Sequence, residues 1–435
     1  MHWLAHLIND AMGNVGPTVT YTRRPRRRGH VESITALVGA IEAKGVETLI
    51  ILGGNPVFNA PADLNFQQRL AAVKTTVHLS LYDDETSQHC TWHLPRAHYL
   101  ESWGDARAYD GTLSIVQPLI EPLYGGRSPI ELLATLAGDD LVAGYDIVRR
   151  TFAQTTEALD FEKLWRRTLH DGVFAGSAMT ADTPRVRRAD LEQSVASLWQ
   201  RWQEANKAEG LEIVFTPSAS VYDGRFANNG WLQELPDPLT KLTWDNAVLL
   251  SPAKAEELGL RKGDMVRVTF QDRVVDAAVL PMPGQHARSA TVALGYGRRF
   301  AGRVCHGAGF DFYALRSAGS MGFAPGAKIQ KIGGSYVLAV TQDHHAIDTI
   351  GGKGTQERLP TIFREATREK YEADPGFANN QAYTHVHVPH RLSLFNEGHP
   401  FQSEAGIEAT YAWGMSIDLS TCTGCSACVV ACQAE

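Results

Sequence analysis

The spacing of hydrophobic residues changes along the chain, and these changes predict where helices and strands lie. In residues 1–150, a segment with helical spacing at 34–44, with Ser33 as its predicted cap, precedes a short apolar run at 46–52. A second strand is predicted at 75–81, and a helical pattern follows at 130–137. Helices that alternate with short apolar strands are typical of an α/β domain. We therefore predict a partial α/β domain at 1–150.

Beyond this region the pattern becomes helical and then changes to strands. Residues 146–207 are helical and charged, and we assign 151–210 to a helical segment. The strands predicted after it are 211–215, 247–250, 265–270 and 273–280, with turns at Gly263-Asp264 and Pro283-Gly284. Several short strands separated by such turns predict a small β-barrel at 211–345.

The last part of the chain carries fewer periodic segments. Residues 346–410 are rich in Gly, Pro, His and charge, so we predict a linker there with one helix near 363–372. An alternating run at 413–418 predicts a strand that leads into a final domain at 411–435.

Composition and charge exclude two classes of function. The chain has 435 residues, of which 44% are hydrophobic and 20% charged, which is ordinary for a globular protein of several domains. The formal net charge of −7 argues against a nucleic-acid-binding protein, because such proteins usually carry an excess of basic residues. No apolar stretch reaches the roughly 18 residues that a membrane-spanning helix needs.

A basic run lies near the amino end of the sequence. Residues 23–28 read Arg-Arg-Pro-Arg-Arg-Arg, which suggests a twin-arginine leader. Such a leader needs an uninterrupted apolar segment after its arginines. An amphipathic helix with Glu32, Glu42 and Lys44 follows instead, so we interpret the run as a solvated loop. We expect no export signal in this sequence and a truncated amino end.

The most specific motif is a run of four cysteines, Cys422, Cys425, Cys428 and Cys432, with the spacing C-x2-C-x2-C-x3-C. Three thiolates at this spacing bind one face of a [4Fe–4S] cluster, and in ferredoxins the fourth cysteine ligates a different cluster. Zinc sites and redox dithiols use paired cysteines instead. Because a complete domain needs a second such run, we expect the sequence to be cut inside a ferredoxin domain.

Three other groups of residues carry candidate chemistry. The turn Gly53-Gly54-Asn55-Pro56 follows a predicted strand, where α/β sheets bind ligands, although Gly and Asn also favour plain tight turns. The carboxylates of Asp83, Asp84 and Glu85 could perform acid–base chemistry, but we favour a solvated loop and helix cap. Histidines of the last third could bind a metal or face a haem, although surface positions are the simpler interpretation: His344, His345, His385, His387, His390 and His399.

Two sets of motifs resemble known domains. The first resembles, in order and spacing, the carboxyl half of the molybdopterin oxidoreductase domain, in which a Gly-x-Asn-Pro turn faces the pterin dinucleotide. Its members are Gly53-Gly54-Asn55-Pro56, Asp84-Glu85-Thr86, His93-Leu94-Pro95, Glu101-Ser102-Trp103-Gly104, Asp110-Gly111 and Gln117-Pro118. The second, at 244–252, 255–264 and 266–268, resembles that family's dinucleotide-binding barrel.

The order of these parts resembles one family more closely. A molybdopterin-like half domain, a barrel, a linker and a ferredoxin domain in one chain are similar to the iron–sulfur subunit of alternative complex III, a quinol-oxidising respiratory assembly. Residues 99–111 and 227–238 are also similar to that subunit. The members of this family are about twice as long, with a leader and a front half that would precede Met1.

The resemblance implies a function, cofactors and partners. It implies an electron-transfer subunit with 4Fe-4S clusters on Cys422, Cys425, Cys428 and Cys432, and a vestigial pterin site at Gly53, Gly54, Asn55 and Pro56 without molybdopterin. Its implied partners are a multihaem cytochrome c and quinol-binding membrane subunits, at the periplasmic face of the bacterial inner membrane. We expect no activity from this fragment alone. An active molybdopterin-dinucleotide oxidoreductase and a structural assembly subunit are the alternatives.

Overall fold

The structure is a computed structural model that describes residues 2–22, 29–156, 159–184, 188–205, 207, 209–341, 365–379, 414–422 and 428. The chain divides into two compact units, Met1–Thr341 and Gln342–Gln433. Several predicted features lie outside the described residues: the basic run at 23–28, the six histidines between 344 and 399, most of the linker, Cys425 and Cys432.

The first part of the larger unit alternates helices with short strands. Its elements are α1 (His2–Ala11), β1 (Tyr21–Thr22), α2 (His30–Glu42), β2 (Thr48–Leu52), α3 (Pro56–Asn59), α4 (Phe66–Leu70), β3 (Thr75–Ser80), β4 (Trp92–Pro95), β5 (Gly104–Arg107) and β6 (Leu113–Val116). Strands β2, β3 and β4 form a parallel sheet in that order, and β5 pairs antiparallel with β6. The predicted strands at 46–52 and 75–81 are thereby confirmed.

The start of α2 differs from its prediction. The helix begins at His30, and its N-cap is Gly29 in an extended conformation with no side-chain cap. The amide of Ser33 donates to the Gly29 carbonyl at 2.9 Å, so Ser33 lies inside the first turn. The prediction that Ser33 caps the helix is therefore wrong. The helix begins three residues earlier, and its first turn, residues 30–33, carries little of the apolar pattern from which the start was predicted.

The next part is helical, as predicted. It contains α5 (Pro129–Ala137), α6 (Gly144–Ala153), α7 (Phe161–Asp171), β7 (Ala181–Asp182) and α8 (Arg188–Ala205). Helices α6 and α7 pack on β6 around a cluster of large side chains, namely Leu113, Ile115, Val148, Phe152 and Trp165. This cluster removes the apolar face of each helix from water, which is the main source of helix stability in proteins.

Helix α5 begins with a reciprocal cap that can be tested. Ser128 Oγ accepts a hydrogen bond from Glu131 N at 3.4 Å, and Glu131 Oε2 accepts one from Ser128 N at 2.7 Å. We expect Ser128→Ala to lower the free energy of unfolding by about 1 kcal/mol, since an amide donor of the first turn loses its acceptor. Urea denaturation measures the change. The matched control Ser197→Ala, on the exposed side of α8, should be neutral or slightly stabilising. Equal effects of the two changes would contradict this role of Ser128.

A closed six-stranded barrel follows and confirms the predicted barrel. Its elements are β8 (Leu211–Pro217), α9 (Gly230–Glu234), β9 (Val248–Leu250), α10 (Pro252–Glu257), β10 (Asp264–Phe270), β11 (Arg273–Pro281), β12 (Ser289–Leu294) and β13 (Phe323–Ser335). The strand order is β10-β11-β9-β12-β8-β13, and β13 closes the barrel by pairing antiparallel with both β8 and β10. Strands β12 and β13 are absent from the sequence prediction.

The barrel interior is filled by side chains of alternating strand positions. Val266, Val268 and Phe270 of β10 point inward and are buried, whereas Arg267 between them is exposed and pairs with Asp276 of β11. This alternation follows from the two-residue period of a strand. The predicted turn glycine Gly263 has a φ of +83°, and a Cβ there would lie 2.5 Å from the Tyr336 carbonyl oxygen. Both its backbone angle and this close approach favour glycine.

The smaller unit is described only in part. It contains α11 (Arg368–Ala373), where a helix near 363–372 is predicted, and a turn at the cysteine run. Residues 414–418 are exposed and form no strand, so the predicted strand at 413–418 is wrong over its described residues. A strand needs a hydrogen-bonded neighbour, and these residues have none in the described part of the chain. In that same part, no helix combines the length and the apolar content that crossing a membrane requires.

Candidate functional site

The predicted glycine turn lies at the carboxyl end of the parallel sheet. Gly53 and Gly54 follow β2 with φ angles of +77° and +75°, and Gly53 N donates to the Leu79 carbonyl at 2.8 Å. A Cβ on Gly53 would collide with Arg96 Nη1, whereas a Cβ on Gly54 would meet open space. The Arg96 guanidinium therefore covers one face of the turn.

Asn55 connects this turn to the acidic segment that follows β3. Asn55 Nδ2 donates to Glu85 Oε2 at 2.7 Å. Asn55 Oδ1 accepts hydrogen bonds from Thr86 N at 3.1 Å and from Thr86 Oγ1 at 2.7 Å. Thr86 Oγ1 in turn accepts from Val57 N, at the start of α3, at 3.1 Å. Both polar atoms of the Asn55 side chain are thus engaged within the protein.

Glu85 forms a buried ion pair with Arg298, which lies after β12. Arg298 Nη2 donates to Glu85 Oε2 at 2.8 Å, and Arg298 Nε donates to Glu85 Oε1 at 3.0 Å. The backbone amides of Arg299 and Phe300 donate to Glu85 Oε1 at 2.8 and 3.1 Å. Burial by itself raises the pKa of Glu85, but these hydrogen bonds and the Arg298 charge outweigh it and hold the pKa at about 2.

Arg298 also contacts two other parts of the molecule. Its Nη1 donates to the Gly224 carbonyl at 2.6 Å, and its guanidinium lies 4.7 Å from the centre of the Phe58 ring of α3. One side chain therefore links the sheet, α3 and the barrel region. The sequence prediction of a solvated Asp83–Glu85 loop is wrong for Asp84 and Glu85, which are buried, while Asp83 is exposed. The reason is this arginine, which neutralises Glu85 inside the protein.

A second group of buried polar residues lies beside Glu85. Ser87 Oγ is 2.8 Å from His78 Nδ1 and 2.9 Å from His93 Nδ1. Asp84 Oδ1 accepts from the amides of Thr86 and Ser87, both at 3.1 Å. Burial raises the pKa of Asp84, against the Ser87 amide and His78, which lower it. Burial lowers the pKa of His78, against the charge of Asp84, which raises it.

These residues do not form a nucleophilic triad. In a triad, the serine and the carboxylate bind opposite nitrogens of the histidine. Here Ser87 and Asp84 both lie beside Nδ1 of His78, and its Nε2 lies 3.1 Å from the Gly54 carbonyl oxygen. His78 is also fully buried, with 0% of its surface exposed. The group positions the glycine turn and offers no accessible nucleophile.

A cleft of about 740 Å³ borders the turn within the larger unit, between β2, α2 and the barrel. Pro56 and Asn59 line it, as do Arg225 and Arg316. Arg225 is paired with Asp223, and Arg316 Nη2 donates to the Asn59 carbonyl at 2.7 Å. Arg316 Nε is buried and has no hydrogen-bond partner among the described residues.

These contacts test whether the turn fits a pterin dinucleotide. The motif side chains Asn55 and Glu85 are bonded to protein atoms, and Arg96 covers Gly53. The turn therefore does not fit a site whose side chains hold a pterin. The cleft has the size of a ligand pocket. The guanidinium groups of Arg225 and Arg316 that line it already donate to protein oxygen atoms, except for Arg316 Nε.

The cysteine run is described at two of its four positions. Cys422 and Cys428 are exposed, and Cys422 N donates to the Asp418 carbonyl at 2.9 Å. Asp418 Oδ1 accepts from Ser420 N at 2.9 Å, so this aspartate organises the turn that presents Cys422. No group of three potential metal ligands occurs in the described part of the chain, which omits Cys425 and Cys432.

Three residues of the buried network were not predicted from the sequence: His78, Ser87 and Arg298. His78 had a weak signal, since it lies between the apolar residues Val77 and Leu79 of a predicted strand. Arg298 had none, because 213 residues separate it from its partner Glu85.

The fold and this site define a mixed α/β protein in which a parallel sheet is joined to a closed six-stranded barrel. No protein-family profile and no curated protein matches the chain. Among solved structures, acetylene hydratase from Pelobacter acetylenicus is similar, with a TM-score of 0.46 and 16% sequence identity. The similarity covers 68% of this chain and 46% of that chain, so the sequence spans less than half the length of that structure.

Proposed function

We propose that the protein is an electron-transfer iron–sulfur subunit of a membrane-bound quinol-oxidising respiratory complex, and that its α/β and barrel regions are a scaffold without pterin. One observation carries the proposal, the C-x2-C-x2-C-x3-C run formed by Cys422, Cys425, Cys428 and Cys432. Zinc sites and redox dithiols are built from pairs of cysteines, so they do not account for four cysteines at this spacing.

The cysteines would hold the clusters as thiolates, with Cys422, Cys425 and Cys428 on one and Cys432 on another. When bound, such clusters supply one-electron transfer. The residues around them have a positioning role: Asp418 orders the turn before Cys422 through the amides of Ser420 and Cys422. The exposed positions of Cys422 and Cys428 suit thiolates that must close around a metal cluster.

The scaffold part of the proposal rests on the contacts of the glycine turn. Asn55 and Glu85 are bound to Thr86 and Arg298, and these bonds stabilise the fold without a ligand. A region that keeps a binding fold need not keep its function. By resemblance to the alternative complex III subunit, the partners would be a multihaem cytochrome c and quinol-binding membrane subunits on the periplasmic face of the inner membrane.

The cleft beside the turn favours one alternative, an active molybdopterin-dinucleotide oxidoreductase. Its volume of about 740 Å³ lies within the range of small-molecule sites, and Arg316 Nε is a buried donor without an acceptor among the described residues. A phosphate could accept from such a donor. This alternative predicts stoichiometric pterin in the purified protein.

Metal and pterin analysis of the full-length protein separates these functions. We expect iron and acid-labile sulfide, no molybdenum, and no pterin dinucleotide released on denaturation. Iron together with molybdenum or stoichiometric pterin would establish the molybdoenzyme instead. A quinol added to the assembled complex should reduce the clusters. Clusters that no physiological donor reduces would support the third possibility, a structural assembly subunit.

A further inference from the structure

A second cavity, of about 490 Å³, lies at the side of the barrel and shares only Pro217 with the described lining of the cleft beside the glycine turn. It is formed by the segment after β8, the loop before β9, the turn after β11 and the outer face of β12. Its volume lies within the range of pockets that bind small molecules. All of its lining residues belong to the larger unit.

Most of the wall of this cavity is apolar. Side chains of Leu242, Leu249 and Met282 line it, together with prolines and alanines of the adjoining turns. The polar groups on the wall are mostly bonded to the protein. Asn246 Nδ2 donates to the carbonyls of Ala293 and Phe310, at 2.6 and 2.9 Å. A ligand that fills this cavity therefore needs an apolar body.

The charge of the wall has one sign. Asp237 and Asp245 line the cavity, and no Lys, Arg or His is among the described lining residues. Asp237 Oδ1 accepts three hydrogen bonds from its own loop, from Leu239 N, Thr240 N and Thr240 Oγ1. An anionic ligand such as a nucleotide would meet two carboxylates and no cation, which excludes that class by charge.

Asp245 forms no ion pair with any residue that the structure describes. It is only 7% exposed, and its one side-chain partner is the Tyr336 hydroxyl, which donates to Asp245 Oδ1 at 3.1 Å. Two further ionisable residues line the cavity with it among the described residues, Asp237 and Tyr296, and neither is cationic. Burial raises the pKa of Asp245 to about 6, against the hydrogen bonds from Tyr336 and neighbouring amides, which lower it. A buried carboxylate without an ion-pair partner is stabilised by a cation that binds beside it.

We propose that this cavity binds an organic monocation with an apolar body, such as a substituted ammonium, whose charge pairs with the Asp245 carboxylate. The apolar wall contacts the body of the ligand, and Asp245 is the one buried charged side chain among the described residues of the lining. The inference is independent of the iron–sulfur function, because the residues that line the cavity do not include the glycine turn and belong to the larger unit.

The test uses three probes of the same size on the full chain: 3-phenylpropylammonium, 3-phenylpropan-1-ol and 3-phenylpropanoate. Calorimetric titration at pH 7.5 should give binding of the ammonium about tenfold or more tighter than that of the alcohol, and no binding of the carboxylate. Asp245→Asn should remove the preference for the ammonium. Asp276→Asn, which removes an exposed carboxylate of β11 outside the cavity, should keep it.

A second variant covers the case in which Asp245→Asn does not fold. Ala219 lies at the exposed rim of the cavity, so Ala219→Trp should obstruct entry and abolish binding of both ammonium and alcohol without a change in the barrel core. The proposal is wrong if no probe binds, if alcohol and ammonium bind equally, or if Asp245→Asn retains the preference. It is also wrong if binding is unaffected by Ala219→Trp.

Discussion

Replacing Arg298 by methionine is expected to lower the free energy of unfolding by about 3–5 kcal/mol. The change removes the guanidinium but keeps an apolar stem of similar length. It leaves the Glu85 carboxylate buried, with the amides of Arg299, Phe300 and Asn55 as its remaining donors. Removing one partner of a buried pair costs more than the pair itself contributes, because the other charge is left without compensation.

Two further variants make this expectation specific. Adding Glu85→Gln to Arg298→Met should recover part of the loss, since it removes the uncompensated charge. Arg267→Met is the matched control, because Arg267 forms an exposed pair with Asp276, and its loss should cost at most about 1 kcal/mol. Urea unfolding followed by tryptophan fluorescence measures all of them. Equal losses at Arg298 and Arg267 would contradict the role assigned to the buried pair.

The same pair predicts a pH dependence with a definite sign. The pKa of Glu85 is lowered from its ordinary value of 4.5 to about 2 in the folded protein. Its contribution to stability is therefore complete above about pH 4.5 and is lost as the pH falls towards 2. Between these values, the stability of Arg298→Met should fall less steeply with acid than that of the parent protein.

Loss of one cysteine is expected to remove one cluster and leave the other. In the purified protein, Cys425→Ala should abolish the paramagnetic signal of one reduced [4Fe–4S] cluster, because the proposed function assigns three thiolates of the run to that cluster. Cys432→Ala should perturb a different signal, since the last cysteine of such a run belongs to a second cluster. Electron paramagnetic resonance of the dithionite-reduced protein distinguishes the two.

Cys90→Ala is the control for this experiment. Cys90 lies at the end of a short turn in the α/β region, and burial raises the pKa of its thiol, which disfavours the thiolate that a metal needs. Both signals should persist in this variant. If Cys425→Ala and Cys432→Ala remove the same signal, the assignment of the four cysteines to two clusters is wrong.

The elements that were predictable from the sequence are those with a local pattern. Strands β2, β3, β10 and β11 are short segments rich in β-branched and apolar residues, and each lies within two residues of its predicted bounds. Strand β13 is different: it contains Pro325 and three glycines, which conceal its strand pattern, and its pairing with β8 and β10 is long-range. Residues 414–418 are the reverse case: they have the alternating pattern of a strand, but no neighbouring strand pairs with them among the described residues.

The candidate site was predictable only in its turn. Gly53-Gly54-Asn55-Pro56 has a local signal, because successive glycines and Asn-Pro mark a turn after a strand. What Asn55 binds depends on Glu85, and the burial of Glu85 depends on Arg298 in a distant loop. Tertiary contacts of this kind leave no trace in local spacing, so a solvated acidic loop was the natural but wrong expectation.

The closure of the barrel by β13 has a consequence for synthesis of the protein on the ribosome. When the chain has emerged as far as Leu294, strands β8 to β12 are available, but β8 and β10 each still lack the neighbour that β13 provides. Unpaired strand edges associate readily with other chains. At ordinary rates of translation, this open state lasts a few seconds, until Phe323–Ser335 emerges. During that interval nascent chains on one polysome are exposed to aggregation, and a chaperone that covers strand edges would protect them.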